Sequence, residues 1–262
     1  MRKPSAKKPA WVVARERDNR AQGTERVWLF GLHAVRDALQ NPARRKFRLI
    51  LTKNAADRLD RAWDGSGLQP ELKDARRFDA PIDPQSVHQG AALEVAPLDW
   101  GSVSECCAPG MTTPRVLLLD RVTDPHNIGA ILRSAEVFGA RAVIAPHRHS
   151  APETGALAKA ASGALERQPY LRVPNLANAM QALRQMGYVI LGLDGTGETD
   201  LDAALDGLDT TPVALALGAE GPGLRDLTRK TCDRLVRIPA QGAFGSLNVS
   251  NAAAVALYAA RC

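Results

Sequence analysis

The chain has 262 residues, enough for one large domain or two small ones around a substantial core. Its 45% hydrophobic and 24% charged residues match a folded globular protein, and no apolar run approaches the ~18–20 residues needed to span a bilayer. A net charge of +6 points to an anionic partner, nucleic acid first, or to a basic solvated surface.

Residues 1–26 carry Arg2, Lys3, Lys7, Lys8, Arg15, Arg17, Arg20 and Arg26 against Glu16, Asp18 and Glu25, with few apolar side chains. Too little can be buried there to offset the entropy of ordering, so a disordered basic arm is expected. It serves either to neutralise phosphates or as a solubilising tail. From 27 to 98 the pattern alternates. Val27-Trp28-Leu29-Phe30 leads to Gly31, after which Ala34, Val35, Ala38 and Leu39 share one helical face. Phe47-Arg48-Leu49-Ile50-Leu51 reads as a strand and 55–63 as a helix. Ala91-Ala92-Leu93-Glu94-Val95 reads as a strand after His88-Gln89-Gly90, completing a small α/β module. Residues 99–114, with Gly101, Pro109, Gly110 and Pro114, break the pattern as a linker or a peripheral helix.

From Arg115 onward strands and helices alternate in the manner of a parallel, doubly wound α/β sheet. Val116-Leu117-Leu118-Leu119 is continuously apolar, as a strand covered on both faces should be. Further strands are expected at 142–145, 171–173, 188–193, 213–217 and 235–238. Helices are expected at 128–138, 157–165, 224–230 and 248–260, and from the N-cap candidate Asn175 to Met186. No internal repeat is visible.

Three polar, glycine-bearing segments end β-type runs in this half: Asp124-Pro125-His126-Asn127-Ile128-Gly129-Ala130-Ile131-Leu132-Arg133, Gly218-Ala219-Glu220-Gly221-Pro222-Gly223, and Gly245-Ser246-Leu247-Asn248-Val249-Ser250-Asn251-Ala252. Strand-end loops of an open α/β sheet gather beyond the carboxyl ends of the strands, so one shared pocket is expected. The second segment lacks the Lys-Ser/Thr of a phosphate-binding loop and the G-x-G-x-x-G spacing of a dinucleotide site. Its Glu220 favours a neutral or cationic ligand over a polyphosphate, or else simply suits the start of a helix. Asn127 is a helix cap or a pocket residue. Arg133, six positions on, suits phosphate recognition through its paired donors, or is merely solvated. Ser246 has no nearby histidine to act as base, which argues against a hydrolase nucleophile. Ser246 and Asn248 either hydrogen-bond a ligand or cap the last helix.

In order, spacing and strand context the three segments resemble the three motifs of the SpoU (TrmH-like) ribose methyltransferases of the SPOUT superfamily. The resemblance covers about residues 115–262. The region containing Phe30-Gly31-Leu32-His33-Ala34-Val35 and His88-Gln89-Gly90 resembles the L30e-type RNA-binding domain often placed ahead of that catalytic domain. The whole arrangement looks most like the bacterial 23S ribosomal RNA guanosine 2′-O-methyltransferase branch. The resemblance implies a C-terminal deep trefoil knot, an exception to the usual unthreaded topologies. It implies S-adenosylmethionine in that knot, with Gly218, Ile238 and Leu247 around the adenosine. Asn127, Arg133, Glu220, Ser246 and Asn248 match the family's polar residues, and Arg133 would grip the phosphate beside the target ribose. The stretch Ala240-Gln241-Gly242-Ala243-Phe244-Gly245 departs from the family's pattern without removing a polar group. The family further implies a homodimer through the knot and last helix, where Ala252, Val255, Ala256 and Ala259 form an apolar face. Its RNA is 23S ribosomal RNA, with transfer RNA as the alternative.

Other residues carry plainer readings. Cys106, Cys107, Cys232 and Cys262 form no C-x-x-C pair, which argues against a disulfide framework or zinc site and for a reducing cytoplasm. The N-terminus lacks the apolar stretch of a secretory signal. His147 and His149 flank Arg148 with no third ligand spaced to join them, so a surface loop or RNA backbone contact is expected rather than a metal. Two other classes stay open. One is a non-catalytic RNA-binding protein of the same fold. The other is a Rossmann-type enzyme, which needs a phosphate loop where this chain has Asp120-Arg121-Val122-Thr123-Asp124-Pro125.

Overall fold

The computed structural model describes residues 25–110, 112–240 and 247–261. The expected basic arm (apart from Glu25 and Arg26), Ser246 and the 241–245 stretch lie outside the described residues. The chain divides into two compact units, one reaching Leu98 and including Glu153–Lys159, the other formed by Asp99–Pro152 and the chain from Ala160 onward.

The first unit runs β1 (Val27–Phe30), α1 (Leu32–Gln40), β2 (Lys46–Thr52), α2 (Lys53–Leu59), β3 (Glu71–Lys73) and β4 (Ala91–Val95). Its four-stranded sheet has the order β1-β4-β2-β3, antiparallel except for β2 with β3. α1 buries Leu32, Ala34, Val35, Ala38 and Leu39, the face its periodicity marks. Gly31 has no side chain to cap this helix, and the Gln89 side chain accepts from Leu32 N instead (3.1 Å). α2 stops at Leu59, short of the expected 63, because Asp60 and Arg61 turn into left-handed backbone (φ 48° and 58°). β3 escapes sequence reading: Glu-Leu-Lys has no β pattern of its own and is extended by pairing with β2.

The second unit begins with the short α3 (Val103–Cys106), closed by a reciprocal capping box between Ser102 and Glu105. Then follow β5 (Arg115–Asp120), α4 (Pro125–Val137), β6 (Ala142–Pro146), α5 (Gly155–Ala161, which belongs to the first unit up to Lys159), β7 (Tyr170–Val173) and α6 (Leu176–Gln185). The last elements are β8 (Val189–Leu193), β9 (Thr199–Asp200), α7 (Leu201–Leu205), β10 (Val213–Gly218), α8 (Asp226–Thr231), β11 (Arg234–Arg237) and α9 (Val249–Ala259). The seven strands pair in the order β7-β6-β5-β10-β8-β11-β9, every pair parallel. β5 is buried along its length. Val116 and Leu118 join the cluster that contains Leu176, Met180 and Leu183 of α6. Leu117 and Leu119 alternate with them and are equally buried, so both faces are covered.

From β5 the sheet grows one way through β6 and β7, and the chain then lays β8 on the other side. β10 slots in beside β5. The direction of growth therefore reverses around β5 and β10, where ligands of such sheets bind. α9 packs on α4 and β10, burying Val249, Ala253, Ala256 and Leu257. Of the four apolar residues singled out on this helix, Ala256 is buried whereas Val255 is 42% exposed. The far end of α9 is tied down by Arg115, whose Nε donates to Ala260 O (2.7 Å).

Candidate active site at the carboxyl edge of the parallel sheet

β5 ends in Asp120, a carboxylate with no exposure. It accepts from Arg225 N (2.9 Å) and from Arg225 Nε (2.6 Å). Register sets Asp120 opposite Gly218, the last residue of β10. The pair thus closes the 218–225 segment back onto the neighbouring strand end. Within that segment Gly223 N donates to Ala219 O (2.9 Å). A Cβ on Gly218 would lie 2.0 Å from the carbonyl carbon of Gly223, so only glycine lets the turn fold this tightly.

After β5, Asp124 caps α4 by accepting from His126 N (2.9 Å), with Pro125 in the first turn. α4 therefore starts before the expected residue 128, and Asn127 is not its cap. Freed from capping, the Asn127 side chain points to other loops. Its Nδ2 donates to Glu220 Oε1 (3.1 Å), and its Oδ1 accepts from Asn248 Nδ2 (3.1 Å). Asn248 Nδ2 also donates to Glu220 Oε1, closing a three-membered ring. Asn248 meanwhile caps α9, its Oδ1 accepting from Ser250 N (2.9 Å). Asn248 thus caps the last helix, as one of its two readings has it, and its amide NH2 joins the ring as well. Gly129 seats this turn: a Cβ there would come within 2.5 Å of Ala160 Cβ and 2.7 Å of Ala161 N.

Arg133 stands apart from the ring. Six helical residues place it about 9 Å along the axis and ~120° around from Asn127. It is exposed, and no described residue hydrogen-bonds to or ion-pairs with it. Ser246 lies outside the described residues.

Beside the ring lies a cleft of about 560 Å³, lined by Gly218, Glu220, Ile238 and Leu247 among others. Gly218, Ile238 and Leu247, remote from one another in sequence, thus share one wall system. The cleft is lined as well by the Asp194-Gly195-Thr196 turn after β8 and by Arg229 of α8. Sequence reading missed both, although the Asp-Gly-Thr-Gly stretch after an apolar strand was a visible turn signal. Asp194 Oδ1 accepts from Thr196 N (2.9 Å) and Thr196 Oγ1 (2.6 Å), and its Oδ2 pairs with Arg229. Burial pushes the Asp194 carboxyl up, but the Thr196 hydrogen bonds and the Arg229 charge outweigh it and hold the group below its ordinary range. Two carboxylates, Asp194 and Glu220, thus line the cleft. Its glycine backbone and apolar lining suit a flat heteroaromatic group, and its carboxylates suit a cation. A volume near 560 Å³ matches a nucleoside-sized ligand.

Residues 114–258 match the SpoU rRNA Methylase family, and residues 28–100 match the family described as RNA 2′-O ribose methyltransferase substrate binding. A curated relative from Pseudomonas putida, named 23S rRNA (guanosine-2′-O-)-methyltransferase RlmB, is 39% identical over 240 residues, covering 88% of this chain and 94% of the relative. A protein of the same name from Ralstonia nicotianae is 40% identical over 238 residues, with 88% and 94% covered. Among solved structures, the SpoU methyltransferase AviRb from Streptomyces viridochromogenes, in complex with AdoMet, superposes with a TM-score of 0.75 at 26% identity, over 97% of each chain. The AdoMet-bound rRNA methyltransferase from Sinorhizobium meliloti shares the fold, with a TM-score of 0.77 over 98% of this chain and 95% of that one, at 22% identity. Three loop motifs drawn to one sheet edge and a family match across more than half its length lead to one conclusion: the chain belongs to the SpoU rRNA methylase family.

Proposed function

We propose that this chain transfers a methyl group from S-adenosylmethionine to the ribose 2′-hydroxyl of a guanosine in 23S ribosomal RNA. The observation that carries this reading is the Asn127–Glu220–Asn248 ring at the rim of a cleft whose walls bear carboxylates. The carboxylates of the cleft would favour a cationic sulfonium, and the glycine turn at 218–223 would offer backbone groups to an adenosine. The names of the curated relatives supply the 23S RNA and the guanosine.

S-adenosylmethionine, when bound, supplies a methyl carbon already activated by its sulfonium charge. The protein's part is therefore alignment and charge placement. Gly218, Ile238 and Leu247 hold the adenosine. Glu220 and the two asparagine amides form a preset polar rim against which the ribose is oriented. Ser246 would help orient the substrate. Arg133 holds the phosphate beside the target ribose. A guanidinium carries N–H donors and no acceptor, so its role is binding, not proton removal. The 2′-hydroxyl is also the group by which the site separates RNA from DNA.

Three further assignments belong to the same reading. Residues 27–98 act as an RNA-binding domain ahead of a methyltransferase domain at 115–262, with 99–114 as the linker. The chain threads a C-terminal knot, in support of which α9 is held between α4, β10 and the Arg115 tie. Two copies pair through α4 and α9, where Val137, Val255 and Tyr258 stay 76%, 42% and 55% exposed among the described residues. No helix among the described residues is long and apolar enough to cross a membrane, and a ribosomal RNA substrate places the work in the cytoplasm.

The test is twofold. Calorimetric titration with S-adenosylmethionine should show one site per chain. Mapping of 2′-O-methyl groups in cells with and without this gene should show one guanosine of 23S RNA losing its methyl group. Loss of a transfer RNA methyl instead would move the substrate. Absence of cofactor binding would favour a non-catalytic RNA-binding protein.

A further inference from the structure

All strands of the second sheet run parallel, so the loops after β5, β6, β8 and β10 open on one edge. The two flanks of β5 differ in charge. On the β10 and β8 side stand Glu220 and Asp194, inside the cleft. On the β6 side the loop reads His147-Arg148-His149, and Arg121 stands at the end of β5 itself. The carboxylates near these residues in the chain are engaged elsewhere: Asp124 Oδ1 accepts from His126 N, Asp120 accepts from Arg225, and Glu153 pairs with Arg44.

Two of these basic residues sit in left-handed backbone, Arg121 at φ 63° and His149 at φ 62°. Residues with a Cβ avoid that region, and exceptions gather at functional sites. In both loops the neighbours hold the conformation. Arg121 lies between Asp120, fully buried and bonded to Arg225, and Val122, 3% exposed. Next to His149, Ser150 is buried and its hydroxyl is 3.3 Å from that of Tyr170, which donates to Ala151 O (2.8 Å). Arg172 donates to the carbonyl oxygens of His147 and Ser150. The side chains of Arg121, His147, Arg148 and His149 contribute nothing to this scaffold. All four are exposed, and no described residue hydrogen-bonds to or ion-pairs with their side chains. The fold thus holds two adjacent strand ends in an unfavourable backbone form and leaves their cations free.

We propose that Arg121 and Arg148, flanked by His147 and His149, form a phosphate-binding edge that receives the RNA backbone next to the target nucleotide. This rests on the methyl transfer to RNA proposed above and extends the RNA path beyond Arg133. The cofactor's cation lies on the carboxylate flank of β5, and the polyanion on the basic flank. Guanidinium groups without a carboxylate partner are suited to phosphate oxygens through paired hydrogen bonds.

Arg121→Gly and Arg148→Gln, singly and together, test the edge. Binding of a 23S RNA fragment would be followed as a function of salt, alongside calorimetric S-adenosylmethionine affinity and melting temperature. Glycine accepts a positive φ without strain, so Arg121→Gly should melt no lower than the parent protein. Its RNA affinity should nevertheless fall about tenfold, as should that of Arg148→Gln. Each variant should lower the slope of log affinity against log salt by about 1, the signature of one lost phosphate contact. Cofactor affinity should stay within about twofold. Unchanged RNA affinity and salt slope in both single variants would overturn the edge while leaving methyl transfer standing. So would a lower melting point with weakened cofactor binding in Arg121→Gly, which would make Arg121 structural. A parent protein that neither binds S-adenosylmethionine nor methylates RNA would instead overturn the function itself.

Discussion

Three arginines of the four-stranded unit, Arg26, Arg44 and Arg48, close on the protein while Arg58, Arg76 and Arg77 stay exposed, whereas at the carboxyl edge of the seven-stranded unit the exposed arginines gather beside a cleft. Arg44 is buried, donates to Ala96 O (2.8 Å) and pairs with Glu153. Arg48 binds both oxygens of Glu71 (2.6 and 2.8 Å), and Arg26 pairs with Glu94 while covering the Phe47 ring at 3.9 Å. In the second unit Arg121, Arg133 and Arg148 are exposed and have no partner among the described residues. Two of its paired arginines, Arg225 and Arg229, brace the loops around the cleft. The difference follows from topology. A largely antiparallel sheet distributes its loops over both ends, while a parallel sheet gathers every strand-end loop on one edge and frees that edge for a ligand. An arginine paired within its own unit serves stability, and an unpaired one on the shared edge is the one proposed to meet substrate.

Substitutions on either side sharpen that contrast. Arg133→Ala should lower methyl transfer by about a thousandfold, the upper range for losing one charge-binding donor, while calorimetric S-adenosylmethionine affinity stays within about twofold. Equal loss of both would refute a phosphate role. Arg44→Met should do the reverse. Removing one partner of a buried ion pair costs roughly 3–5 kcal/mol, so chemical denaturation should show a large loss of stability with cofactor affinity retained. Glu220→Gln keeps the shape of the ring but removes its charge, and should reduce kcat by about a hundredfold with little change in melting temperature. A kcat equal to the parent value would remove Glu220 from the chemistry.

The smallest effect concerns pH. The hydrogen bond from Arg48 holds the Glu71 carboxyl below its ordinary value. A carboxyl with a depressed folded pKa stabilises the protein above its unfolded pKa, near 4.3, and that contribution is lost as pH falls through the folded value. The pair is well exposed, so the effect is only ~0.5 kcal/mol. Parent and Glu71→Gln should differ by that amount in denaturation at neutral pH and converge in acid; a difference growing in acid would contradict the sign.

Much of this architecture was legible in the chain. The four consecutive apolar residues of β5 announced a doubly covered strand, and the 3.6-residue pattern of α1 named its buried face. Boundaries set by backbone conformation were not, as the left-handed Asp60 and Arg61 that end α2 show. Nor were β3 and β9, a three-residue and a two-residue strand that exist by pairing with longer neighbours. Within the cleft, Asn127, Glu220 and Asn248 stood out because amides and a carboxylate sat beside glycines at strand ends. Asp194 and Arg229 did not, because their pairing spans 35 residues and no local pattern records it.

The residues by themselves determined the order of the longer elements, the parallel sheet and the three loop motifs, since periodicity and turn chemistry are local properties. Tertiary structure alone decided that Asp124 and not Asn127 caps α4, that Asn248 serves helix and ring together, and that Arg121, Arg133 and Arg148 lack described partners where Arg44 and Arg48 are neutralised. Which charges are cancelled depends on which strand ends lie side by side. That is settled by packing a continuous apolar core, not by neighbours along the chain.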